Sequence, residues 1–339
     1  MLITQVGGAP SKVENTAITT ANNTPNANPN RGSFQFICDT PERLIDAVAR
    51  LFESRATALV LIARGGAWIE RERVREPEAM LLPGMRVSVH TPPDHASPCV
   101  LTPEHIIYHD RWLIAINKPT GTYVDATPWD ADNHLRQALT TLWKSHYGEM
   151  LTLHPAHRLD RDTTGVLLFT RHAHANPAIQ RIFVTHQAHK QYLCHVHGIP
   201  EWQEHTIKTG HGRTENGRFR VYPQERIGQK LLNGDAVKEM TTSFRVLRHG
   251  PDATTWLLAL PQTGRTHQIR LHATALGFPI VGDASHGRPD DVPPHRLHAW
   301  ELTLPHPIHD EPLRLVAPLP LWAPNDLALQ SASATMNDE

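Results

Sequence analysis

Cysteine is scarce: Cys38, Cys99 and Cys194 are the only three in 339 residues. An odd number at such wide spacing excludes a disulfide framework and points to a reducing compartment. Long apolar runs are absent as well. The most apolar stretch, Ala56–Ala63, is interrupted by Thr57 and falls far short of the ~20 residues that a membrane span needs. The opening residues, MLITQVGGAPSK, lack a basic start followed by an apolar stretch, so no secretory signal is read and a cytoplasmic location is expected. No internal repeat is detectable. What is present is an ordinary globular composition, 40% apolar and 20% charged, with length for one large domain or two smaller ones.

The net charge of −1 conceals an asymmetry. Residues 156–275 hold 16 Lys and Arg against 9 Asp and Glu, whereas the rest of the chain holds 17 against 25. A basic central region on a neutral chain points to an anionic partner at one place on the surface. The 24 histidines add little fixed charge at neutral pH.

Composition divides the chain. Residues 1–34, rich in Asn, Pro and Thr, read as a disordered tail, and 325–339 as a loose one. Residues 36–92 read as a small α+β module. Leu44, Ala47, Val48 and Leu51 recur at helical spacing, a second helix covers 55–64, and Ala67–Glu70 and Arg86–Val89 read as strands. The proline-rich stretch 93–103 reads as a linker. Residues 104–324 alternate strand-like runs (112–116, 166–169, 256–260) with fewer helices. That pattern predicts an α+β domain on a mostly antiparallel mixed sheet.

The chemistry-bearing stretch is His157–Phe169, HRLDRDTTGVLLF. Its polar half cannot be core, while Val166–Phe169 suits a buried strand, which puts Asp160 on a loop entering the sheet. Arg158 and Arg161 flank it, and a carboxylate near guanidinium groups stays ionised, as a nucleophile must. Lys190-Gln191-Tyr192 begins a second strand, with Tyr192, Cys194 and Val196 on one face. Leu260–His272, LPQTGRTHQIRLH, reads as strand, glycine turn and helix, with Thr266 as N-cap. Ile269, Ala273 and Leu276 form its buried stripe, leaving His267, Arg270 and Thr274 on another face.

These segments, HRLDRDTTG, KQY and TGRTHQIRLH…LGFPIVGD, resemble the signatures of the RluA family of RNA pseudouridine synthases. Asn117-Lys118-Pro119-Thr120-Gly121 and His298-Ala299 with His306-Pro307 are similar to further family segments. The resemblance covers about 104–320. Residues 36–92 look like the S4 RNA-binding module that precedes many such enzymes. Thr164 stands where Ser is usual, Cys194 where a small residue is, and Glu70 where the S4 module presents Asn-Gly. The resemblance implies a pseudouridine synthase fold in which Asp160 is the catalytic aspartate, Arg270 its ion-pair partner and Tyr192 a stacking residue near the proton transfer. It implies that Arg158, Arg161, Arg265, His267, Lys118 and Lys190 meet the RNA, and that the enzyme is a monomer needing no metal or organic cofactor. The RNA is expected to be large-subunit ribosomal RNA, with transfer RNA as runner-up.

Two other readings compete. His195-Val-His197 and His172-Ala-His174 have a spacing that can hold zinc, but no HExxH or paired-cysteine motif accompanies them. A purely RNA-binding protein has no need of Asp160, Tyr192 and Arg270 together.

Overall fold

The computed structural model describes residues 32–93, 98–215 and 217–327. They form two units: one holds the chain up to Pro98 together with 126–134, the other Cys99–Asp125 and Leu135 onward.

In the first unit the elements are β1 (Ser33–Ile37), β2 (Glu42–Arg43), α1 (Leu44–Phe52), α2 (Arg55–Arg64), β3 (Ala67–Ile69), β4 (Glu72–Val74), β5 (Met80–Leu81) and β6 (Arg86–His90). Four strands make an antiparallel sheet in the order β1-β6-β3-β4, and β2 pairs with β5. The predicted stripe of α1 is buried through Leu44, Ala47 and Val48, with Ile45 beside them, in one core with Ile62, Val87 and Val89. Ser54 caps α2 by accepting the Thr57 amide at 3.1 Å, and Gly65 ends it in the left-handed conformation. The turn between β3 and β4 puts both Glu70 and Arg71 at positive φ. That backbone is one for which Asn-Gly is the usual choice, so Glu70 departs from the pattern at a conformational cost.

The boundaries differ from expectation in two ways. Residues 126–134 belong with this first unit: Ala131 N–H donates to the Arg64 carbonyl at 2.8 Å, Trp68 Nε1 to Pro128 and Arg73 Nη2 to Thr127. Arg75 grips both oxygens of Asp132. The contiguous reading 104–324 missed this excursion because tertiary pairing, not composition, decides it. At the chain ends, Ser33 and Phe34 lie in β1 and Leu327 is buried, so both tails are shorter than expected. The remainder of the expected tails, 1–31 and 328–339, and linker residues 94–97 lie outside the described residues.

The second unit contains β7 (Ile106–His109), β8 (Leu113–Lys118), α3 (Leu135–Tyr147), β9 (His154–Pro155), β10 (Thr164–Thr170), α4 (Asn176–Val184), β11 (His189–His197), β12 (Glu204–Arg213), β13 (Phe219–Tyr222), β14 (Lys238–Gly250), β15 (Thr254–Pro261), α5 (Gln268–Ala275), β16 (Leu297–Pro305) and β17 (Pro312–Val316). All eleven strands share one sheet, whose main path runs β13-β12-β14-β15-β11-β16-β10-β8-β7. Only β10 and β16 pair in parallel, so the sheet is mixed and mostly antiparallel, as predicted.

Period-two alternation along β10 sends side chains to opposite faces. Val166 and Leu168 pack with Ile179 and Ile182 of α4, while Leu167 and Phe169 pack with Leu135, Leu139 and Trp143 of α3. Tyr192, Cys194 and Val196 of β11 do share one face, in a cluster with Ile269 and Ala273 of α5. No helix among the described residues is long and apolar enough to cross a membrane.

Candidate active site

The loop between β9 and β10 carries Asp160 to the point where the central parallel pair begins. Thr164 and Gly165 lie beside His298 and Ala299. Gly165 has a φ of 102°, and a Cβ there would collide with the Ala299 carbonyl, so only glycine lets the loop enter the sheet so close to β16. Lys118, at the end of β8, fixes the same loop from the other side. Its Nζ donates to the carbonyls of Pro119 (3.0 Å), Arg161 (2.6 Å) and Thr163 (3.0 Å). Burial pushes its pKa down to about 7, against the pull of the Asp162 and Asp160 charges.

Arg270, on α5, reaches that loop. Its Nη1 donates to Asp160 Oδ2 at 2.9 Å. The other edge of the guanidinium, Nε and Nη2, makes a two-point contact with Asp283, both bonds at 2.7 Å. Asp283 also accepts the Ser285 and His286 amides at 3.0 Å, which fixes it from behind. Burial alone would raise the Asp160 pKa, but the charges of His267 and Arg270 and the Arg270 hydrogen bond outweigh it and hold the carboxyl below its ordinary value. His267 Nε2 stands 4.0 Å from Asp160 Oδ1. Burial depresses the pKa of His267 itself, so Arg270 supplies the lasting charge at neutral pH. Burial would likewise raise the Asp283 pKa, yet Arg270 drives it far down. A carboxylate so held is ionised and aimed, with one oxygen tied and the other open to a reaction partner.

Tyr192 is buried on β11. Burial, and then the Asp160 charge, raise its phenol pKa, so the hydroxyl keeps its proton. Arg158 is exposed and makes no salt bridge among the described residues.

Several expectations are corrected. Arg270 is not on an exposed helical face: it is 5% exposed, because α5 packs with both sides of its first turns covered. Its fork is spent on Asp283, and Asp160 receives a single hydrogen bond. The N-cap of α5 is His267, held at a φ of 56°, and not Thr266. Arg161 does not flank Asp160 as a charge partner, since it grips its neighbour Asp162 through two bonds of 2.8 Å. Lys118 is 0% exposed, with three backbone carbonyls on its ammonium, so it positions the loop and presents no open surface. Lys190 and Arg265 are half-buried, Lys190 Nζ donating to Thr263 O at 3.2 Å and Arg265 Nε to Glu239 O at 3.0 Å.

Asp283 and His295 escaped the sequence reading. Asp283 lay in plain view in the LGFPIVGD segment, but nothing in the linear string says that it faces Arg270. His295 bonds Thr163 Oγ1 at 2.8 Å through Nε2 and closes the loop from above; burial lowers its pKa to about 4. Among the described residues no three His, Cys, Asp or Glu side chains are disposed to hold a metal. In one His-x-His pair His195 accepts from Arg296 and His197 bonds Asp291, and in the other His172 Nδ1 accepts the His174 amide at 3.2 Å.

The fold thus sets a loop-borne, ionised aspartate beside a buried tyrosine and a buried arginine on a mixed eleven-stranded sheet. The comparisons place the chain. Residues 112–275 match the family described as RNA pseudouridylate synthase. The chain is 34% identical over 265 residues to RNA pseudouridine synthase 1 of Arabidopsis thaliana, covering 67% of this chain and 78% of the relative. It is 31% identical over 300 residues to ribosomal large subunit pseudouridine synthase D of Xanthomonas campestris pv. campestris, covering 82% and 86%. The fold matches that of human RNA pseudouridylate synthase domain containing 1 with a TM-score of 0.53 at 23% identity, over 72% of this chain and 98% of that one. The chain belongs to the RluA-type family of RNA pseudouridine synthases.

Proposed function

We propose that Asp160 is the residue that drives uridine isomerisation in this enzyme and that its target lies in large-subunit ribosomal RNA. The observation that carries the first part is the Asp160–Arg270 pair at 2.9 Å, which keeps a half-buried carboxylate charged. In the reaction the C1′–N1 bond of uridine breaks with the electron pair going to N1, the uracil turns, and a C1′–C5 bond forms; C5 gives up its proton to the solvent-exchangeable pool and N1 takes one from it. Atoms and charge balance without a cofactor. Asp160 acts as the nucleophile: its carboxylate bonds C1′ as C1′–N1 breaks and is released when C5 bonds C1′, and Arg270 keeps the free carboxylate ionised. Tyr192 offers its ring as a platform for the base, and its protonated hydroxyl relays a proton. The uridine must leave its stack, at a cost of a few kcal/mol. The unpaired, exposed Arg158 fills the space left behind.

The ribosomal target is supported by the name of the Xanthomonas relative and by the basic balance of 156–275. The enzyme is read as a monomer. The chemistry is tested with purified protein and RNA carrying tritium at uridine C5: tritium is released by wild type and retained with Asp160→Asn. The target is tested by mapping pseudouridine across total RNA with and without the gene. Sites lost only from transfer RNA would replace the ribosomal assignment and leave the chemistry standing.

A further inference from the structure

Removing the C5 proton takes a base, and most groups around Asp160 are unsuited to it. Tyr192 keeps its own proton, so its hydroxyl can pass a proton on but does not begin as a base. Arg270 is a cation committed to Asp160 and Asp283. The Lys118 ammonium is spent on three carbonyls, and His295 gives its Nε2 to Thr163. Asp160 is held below the ordinary carboxyl pKa, which makes it a weak proton acceptor.

His267 differs from all of these. Its backbone sits in the left-handed region, at φ 56° and ψ 19°, where a residue other than glycine persists only when its surroundings hold it. His211 Nε2 bonds the carbonyl of the preceding Thr266 at 3.0 Å, and the Phe219 ring lies 5.9 Å from the imidazole, edge to face. Nδ1 of His267 bonds Nε2 of His286 at 2.9 Å, with the two rings at 70°. His286 is pinned in turn: its amide donates to Asp283 Oδ1 at 3.0 Å, and its carbonyl accepts the Thr274 hydroxyl at 2.7 Å. Asp283 thus holds both Arg270 and His286.

The second nitrogen of His267, Nε2, stands 4.0 Å from Asp160 Oδ1, too far for a hydrogen bond, on a side chain that is 29% exposed. Oδ1 is the oxygen that Arg270 leaves open. A neutral imidazole has one N–H and one lone pair. With Nδ1–H donating to His286, the lone pair falls on Nε2, beside the oxygen that takes C1′. Burial keeps the ring neutral at pH 7, while the Asp160 charge favours its protonated form.

We propose that His267, oriented by His286, is the base that removes the C5 proton. This rests on uridine isomerisation through Asp160 being the chemistry of the site, and it adds the group that completes it. When C5 bonds C1′, the Asp160 carboxylate is released, C5 is tetrahedral and N1=C6 is a double bond. The C5–H bond then breaks and the proton moves to His267 Nε2. Its electron pair forms C5=C6, the N1=C6 pair moves to N1, and N1 takes a proton from water. The imidazolium forms beside a carboxylate that has just regained its charge, which stabilises it. It then returns its proton to solvent through its exposed edge.

The test is single turnover by the full-length protein on total RNA from cells lacking the gene, carrying hydrogen or deuterium at uridine C5. Asparagine accepts a left-handed backbone and lacks the imidazole lone pair, so His267→Asn removes the base and keeps the turn. Its rate should fall about a hundredfold, with RNA affinity within about threefold of wild type. The deuterium isotope effect should rise above the wild-type value, because C5–H cleavage becomes the slow step. His267→Gly tolerates the same backbone and opens a hole, so added imidazole should restore its rate at least about tenfold. Pyrrole, which has the shape without the basic nitrogen, should not. His286→Phe should cost about tenfold, and His286→Gln, which can still bond Nδ1, should recover most of that loss. A His267→Asn rate near wild type would overturn the proposal. So would a loss with an unchanged isotope effect and no rescue by imidazole, which would leave Asp160 as the base. Should His267→Asn melt well below wild type, the imidazole rescue and the His286 contrast decide, and failure of both would overturn it. A wild type that converts none of this RNA would sink the functional reading and this inference with it, whereas an active wild type matched by His267→Asn would sink this inference alone.

Discussion

The first unit and the β12–β13 hairpin of the second differ in how they hold arginine charge. In the first, residues 41–92 carry 8 Arg against 7 acidic residues, and four of the eight meet a carboxylate among the described residues, while Arg73 lies 4.6 Å from the Trp68 ring centre. Arg43 bonds Asp46 and Glu78, Arg50 bonds Glu42, Arg55 bonds Asp46 and Arg75 bonds Asp132. In the β12–β13 hairpin arginines lie on aromatic rings instead, and one arginine beside Asp160 is buried between two aspartates. Exposed pairs of the first kind add little stability, about 0–1 kcal/mol each, yet they cancel the field that a polyanion would feel. The four paired arginines of the first unit are therefore less available to a polyanion than a count of arginines implies.

The largest expected effect is at the directed charge itself. Asp160→Asn should reduce tritium release by at least about a thousandfold while stem-loop affinity stays within about twofold. A folded variant retaining substantial turnover would end the proposal for Asp160.

Next comes Asp283, which holds Arg270 without touching substrate. Asp283→Asn leaves a buried guanidinium with one anionic partner, a loss of roughly 3–5 kcal/mol by precedent for broken buried pairs. Turnover should fall about a hundredfold. Because Asp283 and Asp160 both have folded-state pKa values below the ordinary ~4, the stability they contribute is present above that pH. It is lost as pH falls below that value, so chemical denaturation of wild type should show a steep acid decline. The decline should be shallower in Asp283→Asn. Identical acid limbs would show that the pair contributes nothing to the charged state.

Tyr192→Phe should slow single turnover by about tenfold with affinity nearly unchanged, since the ring still stacks and only the hydroxyl is gone. A rate equal to wild type would leave Tyr192 as platform alone.

The smallest effect on RNA should come from the first unit, whose Arg and acidic residues nearly balance. Removing residues 1–100 should change the salt slope of binding by less than about 1, corresponding to at most one phosphate contact. The same truncation strips 126–134 of its partners Arg64, Trp68, Arg73 and Arg75, so limited proteolysis should cut there in the truncated chain and not in the full one. A large slope change would break the comparison by showing that paired arginines still reach RNA.

Local pattern made much of the frame legible. The helices at 44–52 and 55–64, the strands through 113–118, 164–170, 189–197 and 254–261, and the loop position of Asp160 follow from periodicity and turn chemistry. Asp160, Arg270 and Tyr192 came from motif resemblance, and the site does bring the first two together. Lys118 shows the limit. Its sequence setting, before a Pro and a Gly in a polar turn, reads as surface, yet the fold places it at zero exposure under the Asp160 loop. A lysine in a string carries no sign of which carbonyls will surround it.

By itself, the sequence determined the period of each element, the loop that must carry a charged aspartate, and the class of chemistry its motifs resemble, because these depend on neighbours within a few positions. Only the tertiary structure decided that Asp283, 123 positions from Asp160, shares its arginine, that residues 126–134 leave the catalytic unit for the first, and which arginines stay without a carboxylate. Those outcomes depend on contacts between segments far apart in the chain. Burial and pairing exist only once the segments have met, and they set the charge state that makes a side chain chemical or merely structural.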